Sequence, residues 1–275
     1  MTAQAATVAA ATPPTVRRED AGRIAVLTLT RPVERNVLSE AALAALSENF
    51  ATIGNDRNVH AVVLAADGPV FSAGHDLKEM TRHRADADGG RAYFNALMET
   101  CSAMMQQIVA LPQPVIAAVE GTATAAGCQL VASCDLAVAS AAAKFGASGI
   151  NVGLFCSTPM VALSRKVARK HAMEMLLTGD LISADEAYRI GLVNRVVEAG
   201  RARAHALELA RRIAAKSPAA IRHGKQAFYR QLEMGLADAY LLTSEVLVDN
   251  MMEDEAEEGI EAFIEKRTPN WNEPR

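Results

Sequence analysis

Hydrophobic and polar positions along the chain fall into two registers. RIAVLTLT at 23–30, HAVVLA at 60–65 and PVIAAV at 114–119 are short apolar runs rich in β-branched residues and bounded by turn formers, which predicts strands. Elsewhere apolar residues recur at helical spacing. Ser39 is placed to N-cap a helix over about 40–54, and Phe94, Leu97, Met98, Cys101, Met105 and Ile108 line one side of a helix over 91–110. The stretch from Pro114 to Ser140 combines both patterns: a strand over Val115 to Val119 breaks at Gly121, passes through small residues to Gly127, and becomes a helix with Leu130, Val131 and Cys134 on one side. Residues 60–80 repeat that order around a turn at Ser72, Ala73 and Gly74. DLAVAS and AKFG predict short strands, and PMVALSRKVARKHAMEMLL predicts one long helix. LISADEAYRIG predicts a helix with a Ser183 and Glu186 capping box and a stop at Gly191. The polar segment 81–90 predicts a mobile loop. Strand-strand-helix units thus recur three or four times, and beyond about Arg201 only helices follow, each with an apolar face that predicts subunit association.

Small side chains at the turns 72–74 and 122–127 let a ligand come close to the main chain. A helix start leaves N–H groups without intrahelical partners. Two such turns can aim two N–H donors at one oxygen.

Composition narrows the function classes. With 28 Lys plus Arg against 32 Asp plus Glu, the net charge of -4 offers no general attraction for nucleic acid or an anionic membrane. At 275 residues and 50% hydrophobic, the chain can build one large core with a smaller appendage, and no apolar run approaches a membrane span. The four cysteines, Cys101, Cys128, Cys134 and Cys156, have no metal-ligand spacing and predict reduced thiols in a cytoplasmic protein. Residues 1–15 lack Arg and Lys and lack an apolar signal core; they read as a disordered tail, not a transit or secretion segment. No GxGxxG follows a strand, which argues against a dinucleotide fold.

The paired motifs FSAGHDLKEM and GTATAAGCQLVASCD, followed by FGASGINVGL, resemble the enoyl-CoA hydratase/isomerase (crotonase) superfamily over about Val16 to Trp271. The wording is nearest that of its domain-containing protein 3 group. The resemblance implies an α/β fold with a ββα spiral core over residues 16–200 and an all-helical oligomerisation domain over 201–275. It also implies trimers, often paired into hexamers, with the last helices packed on a neighbour. The substrates implied are CoA thioesters, with CoA entering as part of the substrate and no permanently bound cofactor. Two backbone N–H groups hold the thioester oxygen.

Carried over position by position, the oxyanion donors fall on His75 and Ala126. The imidazole of His75 reads first as pocket wall and second as an acid or base near neutral pH. The two glutamates of the family's hydratases fall on Gln129 and Gly149, neither of which transfers a proton. General acid–base assistance contributes roughly 10²–10⁴-fold, whereas one oxyanion donor is worth about 2.7–4 kcal/mol. The implied site therefore holds an enolate-like thioester but hydrates poorly, and restoring both glutamates is expected to raise hydration. Lys78 takes the place of the lysine that meets the nucleotide end of CoA, beside Ala73, Asp76 and Leu77. Phe263 and Lys266 match the C-terminal pair that reaches a neighbour's adenine and phosphate. Arg31 and Arg35 are weaker candidates. Cys128, Cys156, Ser148, Ser157 and Thr158 lie near the motifs, but GASG is not a GxSxG elbow and they read as packing residues. Three functions remain open: an acyl-CoA lyase or isomerase with altered chemistry such as decarboxylation or thioester hydrolysis, a hydratase using other groups, and a non-catalytic acyl-CoA binder.

Overall fold

The computed structural model describes residues 14–271, so the tail expected at 1–15 lies outside the described residues apart from its last two. Ten strands form two sheets. Strands β1 (Val16–Ala21), β2 (Ile24–Leu29), β3 (Ala61–Ala66), β5 (Val115–Val119), β7 (Leu136–Ser140) and β10 (Arg195–Val197) make a six-stranded sheet in the order β1-β2-β3-β5-β7-β10. Strands β4 (Val70–Ser72), β6 (Thr122–Thr124), β8 (Lys144–Gly146) and β9 (Ile182–Ser183) make a four-stranded one in the order β4-β6-β8-β9. The large sheet is parallel from β2 to β10, and its central strands β2, β3 and β5 are buried along nearly their whole length, which explains their near-continuous apolar sequence.

The first unit gives both its strands to the large sheet before its helix; the next three, β3-β4, β5-β6 and β7-β8, each give one strand to the large sheet, the next to the small sheet, and then a helix. Helices α1 (Glu40–Gly54), α2 (Leu77–Arg82), α3 (Arg91–Ala110), α4 (Ala126–Ser133) and α5 (Ser157–Lys166) follow in this way, and α6 (Arg169–Thr178) and α7 (Ala184–Arg189) complete the core. This is the ββα spiral that the resemblance implied. Ser39 caps α1 by accepting from the Ala42 N–H, and Gly191 stands just past α7 with a φ of +85°. The main core lies between the sheets and helices α1, α3 and α4, with Phe50, Phe71, Phe145, Leu43, Leu46 and Met104 sealed inside it.

Two expectations change. The long helix expected over 159–177 is two helices, because Val167 adopts an extended conformation (φ -119°, ψ 160°) and is itself buried. Periodicity survives such a break, since α5 buries Pro159 and Leu163 while α6 buries Ala172, Met175 and Leu176. The segment 81–90 is not an unstructured loop. It finishes α2, makes a 3-10 turn over His83–Ala85, and caps α3 with the Asp88 carboxylate accepting from the Gly90 and Ala92 N–H groups.

The remaining helices are α8 (Ala202–Ala214), α9 (Pro218–Gln231), α10 (Leu236–Met251) and α11 (Asp254–Glu265). Helix α8 needs no partner subunit: its stripe of Ala202, Ala206 and Ala210 allows close approach to Ile24, Val26, Val63, Ile116 and Val138 on the outer face of the large sheet. Helix α9 is tied to the core by Lys225, whose ammonium donates to the carbonyls of Ile108 and Gln113 and to the Asp135 carboxylate at 2.7–2.9 Å. Tyr229 on the same helix donates to the other Asp135 oxygen. Helices α10 and α11, by contrast, leave Leu241, Leu247, Met251, Phe263 and Ile264 exposed.

Candidate active site

Three motifs far apart in sequence meet because the small sheet places their strands side by side. Strands β4, β6 and β8 are parallel neighbours, so the turns at 72–75, 124–126 and 147–149 all leave from the C-terminal ends of adjacent strands. The Ala125 N–H donates to the Gly146 carbonyl, tying the second turn to the third strand.

The first two turns touch without intervening side chains. A Cβ on Gly74 would lie 3.1 Å from both the Ala126 nitrogen and the Ala125 Cβ, and one on Gly127 would lie 2.2 Å from the Ser72 carbonyl oxygen. Gly74 has a φ of +84°, and Ala125 is forced to φ +49°, a conformation costly for a residue with a side chain. That strained residue sits immediately before Ala126, the first residue of α4. Among the described residues, neither the His75 nor the Ala126 N–H has a hydrogen-bond acceptor. The arrangement therefore supplies two free backbone donors one residue apart from a direct contact, as an oxyanion hole requires.

A buttress that the sequence reading missed holds the first turn. Asn36 is buried at φ +50°, accepts from the Arg31 N–H and donates to the carbonyls of Asp67 and Val70. The Ala73 N–H donates to the Arg35 carbonyl and the Leu38 N–H to the Gly74 carbonyl, so the whole 31–38 turn braces the donor turn. An asparagine closing a turn is the available signal, since its short side chain tolerates left-handed backbone. Arg31 and Arg35 serve this brace through their main chains.

His75 is largely enclosed. Its Nδ1 lies 3.4 Å from the Leu38 carbonyl oxygen, and its buried Nε2 has no partner. Burial pushes the imidazole below its ordinary pKa, which favours the neutral ring. Gln129 lies one turn into α4, 4% exposed, with its Oε1 buried and unpartnered. Gly149 sits in a 3-10 turn closed on itself: its N–H faces the Cys156 sulfur at 3.3 Å, and its carbonyl accepts from the Leu154 N–H. A Cβ there would come within 2.5 Å of the Leu154 carbonyl oxygen. The position is filled by backbone and leaves no space for a carboxylate.

The thiols are not poised as nucleophiles. Burial pushes Cys128 up to about 12 and also raises Cys156, so neither is ionised at neutral pH. Lys78 is exposed on the first turn of α2, which Asp76 caps by accepting from the Lys78 and Glu79 N–H groups, and Leu77 is half exposed beside it. Phe263 and Lys266 lie on α11, which packs on α9 and α10; both are exposed, and Lys266 ends the helix at φ +57°.

Comparison with known proteins bears on the family and the fold. The family model described as enoyl-CoA hydratase/isomerase matches residues 19–274. The Rattus norvegicus mitochondrial enoyl-CoA hydratase domain-containing protein 3 is 47% identical over 246 residues, 90% of this chain and 80% of that protein. A crystal structure of an enoyl-CoA hydratase from Mycobacterium smegmatis superposes with a TM-score of 0.90 at 51% identity, covering 95% of this chain and 100% of that one. The human enoyl-CoA hydratase domain-containing protein 3 superposes with a TM-score of 0.88 at 45% identity, covering 94% and 100%. With the spiral and these relatives in agreement, the chain belongs to the enoyl-CoA hydratase/isomerase family.

Proposed function

We propose that this protein binds acyl-CoA thioesters and stabilises a thioester enolate between the N–H groups of His75 and Ala126. The observation that carries the reading is the side-chain-free contact of Gly74 with the Ala126 nitrogen, which sets two unpaired donors beside each other. Preorganised backbone donors of this kind cost no reorganisation during reaction and act wherever negative charge develops on the thioester oxygen.

The chemistry is that of an acyl-CoA lyase or isomerase with little hydratase activity. Gln129 stands where an acid or base is needed and cannot exchange a proton, and Gly149 contributes only backbone. Reactions that depend chiefly on the oxyanion hole, decarboxylation and thioester hydrolysis among them, suit it better. A second reading, hydration with another group moving the proton, draws on the unpartnered Nε2 of His75 and on the names of the relatives. In this proposal Lys78, with Ala73, Asp76 and Leu77 around it, receives the nucleotide end of CoA. Phe263 and Lys266 serve a neighbouring subunit's ligand within a trimer or a hexamer of paired trimers. The four buried free thiols are consistent with a reducing, cytoplasmic setting, although several relatives are mitochondrial proteins.

The test is turnover of crotonyl-CoA, malonyl-CoA and 3-hydroxyacyl-CoA by the full-length protein, with hydration followed by loss of enoyl-thioester absorbance. The expected kcat for hydration is far below the usual range of about 1–10³ s⁻¹. A value inside that range refutes the altered-chemistry reading in favour of the second one, while tight binding of every ester without turnover identifies a binder.

A further inference from the structure

Four parts of the chain converge on the short connection between α8 and α9. His60, the residue before β3, is buried, and its main-chain N–H donates to the Arg23 carbonyl in the β1–β2 turn at 2.8 Å. That bond fixes the two side chains against each other. Arg23 Nη1 stands 3.2 Å from His60 Nε2, and His60 Nδ1 stands 3.2 Å from the carbonyl oxygen of Ala214, the last residue of α8. A guanidinium only donates, so Nε2 accepts and the one proton of the ring is on Nδ1, donated to Ala214. On the residues that follow, the Trp271 indole N–H donates to the Ala215 carbonyl at 3.0 Å, and Glu255 of α11 accepts from the Ser217 hydroxyl and the Ala219 N–H.

We propose that His60 is a pH-sensitive latch between the core and the C-terminal helices: the neutral ring holds the end of α8, and its protonation loosens the 214–219 connection together with α11 and Trp271. A second proton has only Nε2 to occupy, where it turns an acceptor into a donor facing the guanidinium at 3.2 Å. Two positive charges then meet in a buried place. The groups that face the ring are the Arg23 guanidinium, the Glu255 carboxylate from α11, and the main-chain carbonyls of Ala214 and Arg57. Burial and Arg23 disfavour the charged ring, the two carbonyls and Glu255 favour it, and burial prevails, so the pKa lies below its ordinary value. The stability that His60 contributes is therefore whole above about pH 6.5 and is lost as the pH falls through that value toward the lower pKa of the folded state. His223, which joins α9 to Glu253 at 2.7 Å, cannot act in this sense, because a proton there adds a charge opposite to its neighbour's.

Trp271 is the single tryptophan of the chain, so its fluorescence reads this connection directly. The test follows the emission of the full-length protein between pH 8 and pH 5.5, a window above the ordinary carboxylate range of about 3.9–4.3. Acidification should shift the emission to the red, reversibly, and His60→Gln should abolish the shift, because its amide can donate to Ala214 and accept from Arg23 without titrating. Over the same window the urea-unfolding equilibrium constant of the parent should rise by at most about tenfold per pH unit, as one proton allows, and less steeply in the variant. Unchanged emission in the parent, a result that needs no variant to fold, overturns the latch. An identical red shift in His60→Gln overturns it too, since another group then carries the transition. Should the variant not fold, hydrogen–deuterium exchange at the histidine C2 carbons of the parent gives the pKa of His60 by itself, and a value at or above about 6.5 overturns the proposal.

Discussion

Gly149 shows how a residue readable in sequence acquires its meaning only from its surroundings. Aligning motifs identifies it as the position of a missing glutamate, and sequence alone suggests that Gln129→Glu with Gly149→Glu would raise hydration. The structure argues for the opposite outcome, because a Cβ at 149 meets the Leu154 carbonyl oxygen at 2.5 Å and the Cys156 sulfur at 2.8 Å. Overpacking of this kind costs typically about 1–3 kcal/mol, so Gly149→Ala should lower the urea midpoint and the double glutamate variant should be destabilised without gaining crotonyl-CoA turnover. A double variant with parental stability and restored turnover would show that the 149–156 turn opens easily. The small-residue turns before His75 and Ala126 were legible because their motifs are local. Asn36 was not, since its three bonds reach residues 31, 67 and 70, and nothing in the neighbouring sequence reveals those partners.

Among the elements, α9 is held by buried charge as well as by apolar contact. The side chains of Lys225 and Asp135 are 6% and 13% exposed and 2.7 Å apart. Burial lowers the pKa of Lys225, opposed by the Asp135 carboxylate, and raises that of Tyr229. Removing one member of a buried pair strands the other. Lys225→Met is therefore expected to lower the stability measured by urea unfolding by about 3–5 kcal/mol, and combining it with Asp135→Asn should cost less than the two single changes added together. An additive cycle would mean that the pair is not coupled. Helical periodicity located α9 and α3 but could not foresee their bond through Lys225, nor the break at Val167, because neither disturbs the spacing of apolar positions. The alanine stripe of α8 likewise carries no signal for which surface covers it, and that surface proved to be the chain's own sheet.

For the whole molecule, the ββα spiral was the most legible feature, because each unit writes its strand, turn and helix in consecutive residues. Assembly is an expectation that rests on the outermost helices, since α10 and α11 present Leu241, Leu247, Met251, Phe263 and Ile264 outward. Light scattering at micromolar concentration is expected to give a mass that is a multiple of three chains, and a chain ending at residue 200 should aggregate, having lost the helix that covers Ile24, Val26, Val63, Ile116 and Val138. A monomeric full-length protein would contradict the assembly.

The adjoining donor turns divide labour within the site. The two free donors are main chain, fixed by glycines and by the strained Ala125, and they do not depend on the side chains of residues 75 or 129. Those two side chains are then free to vary, whereas a side chain at 149 meets the Leu154 carbonyl. A scaffold of this design can exchange one reaction for another while the same pair of donors stays in place.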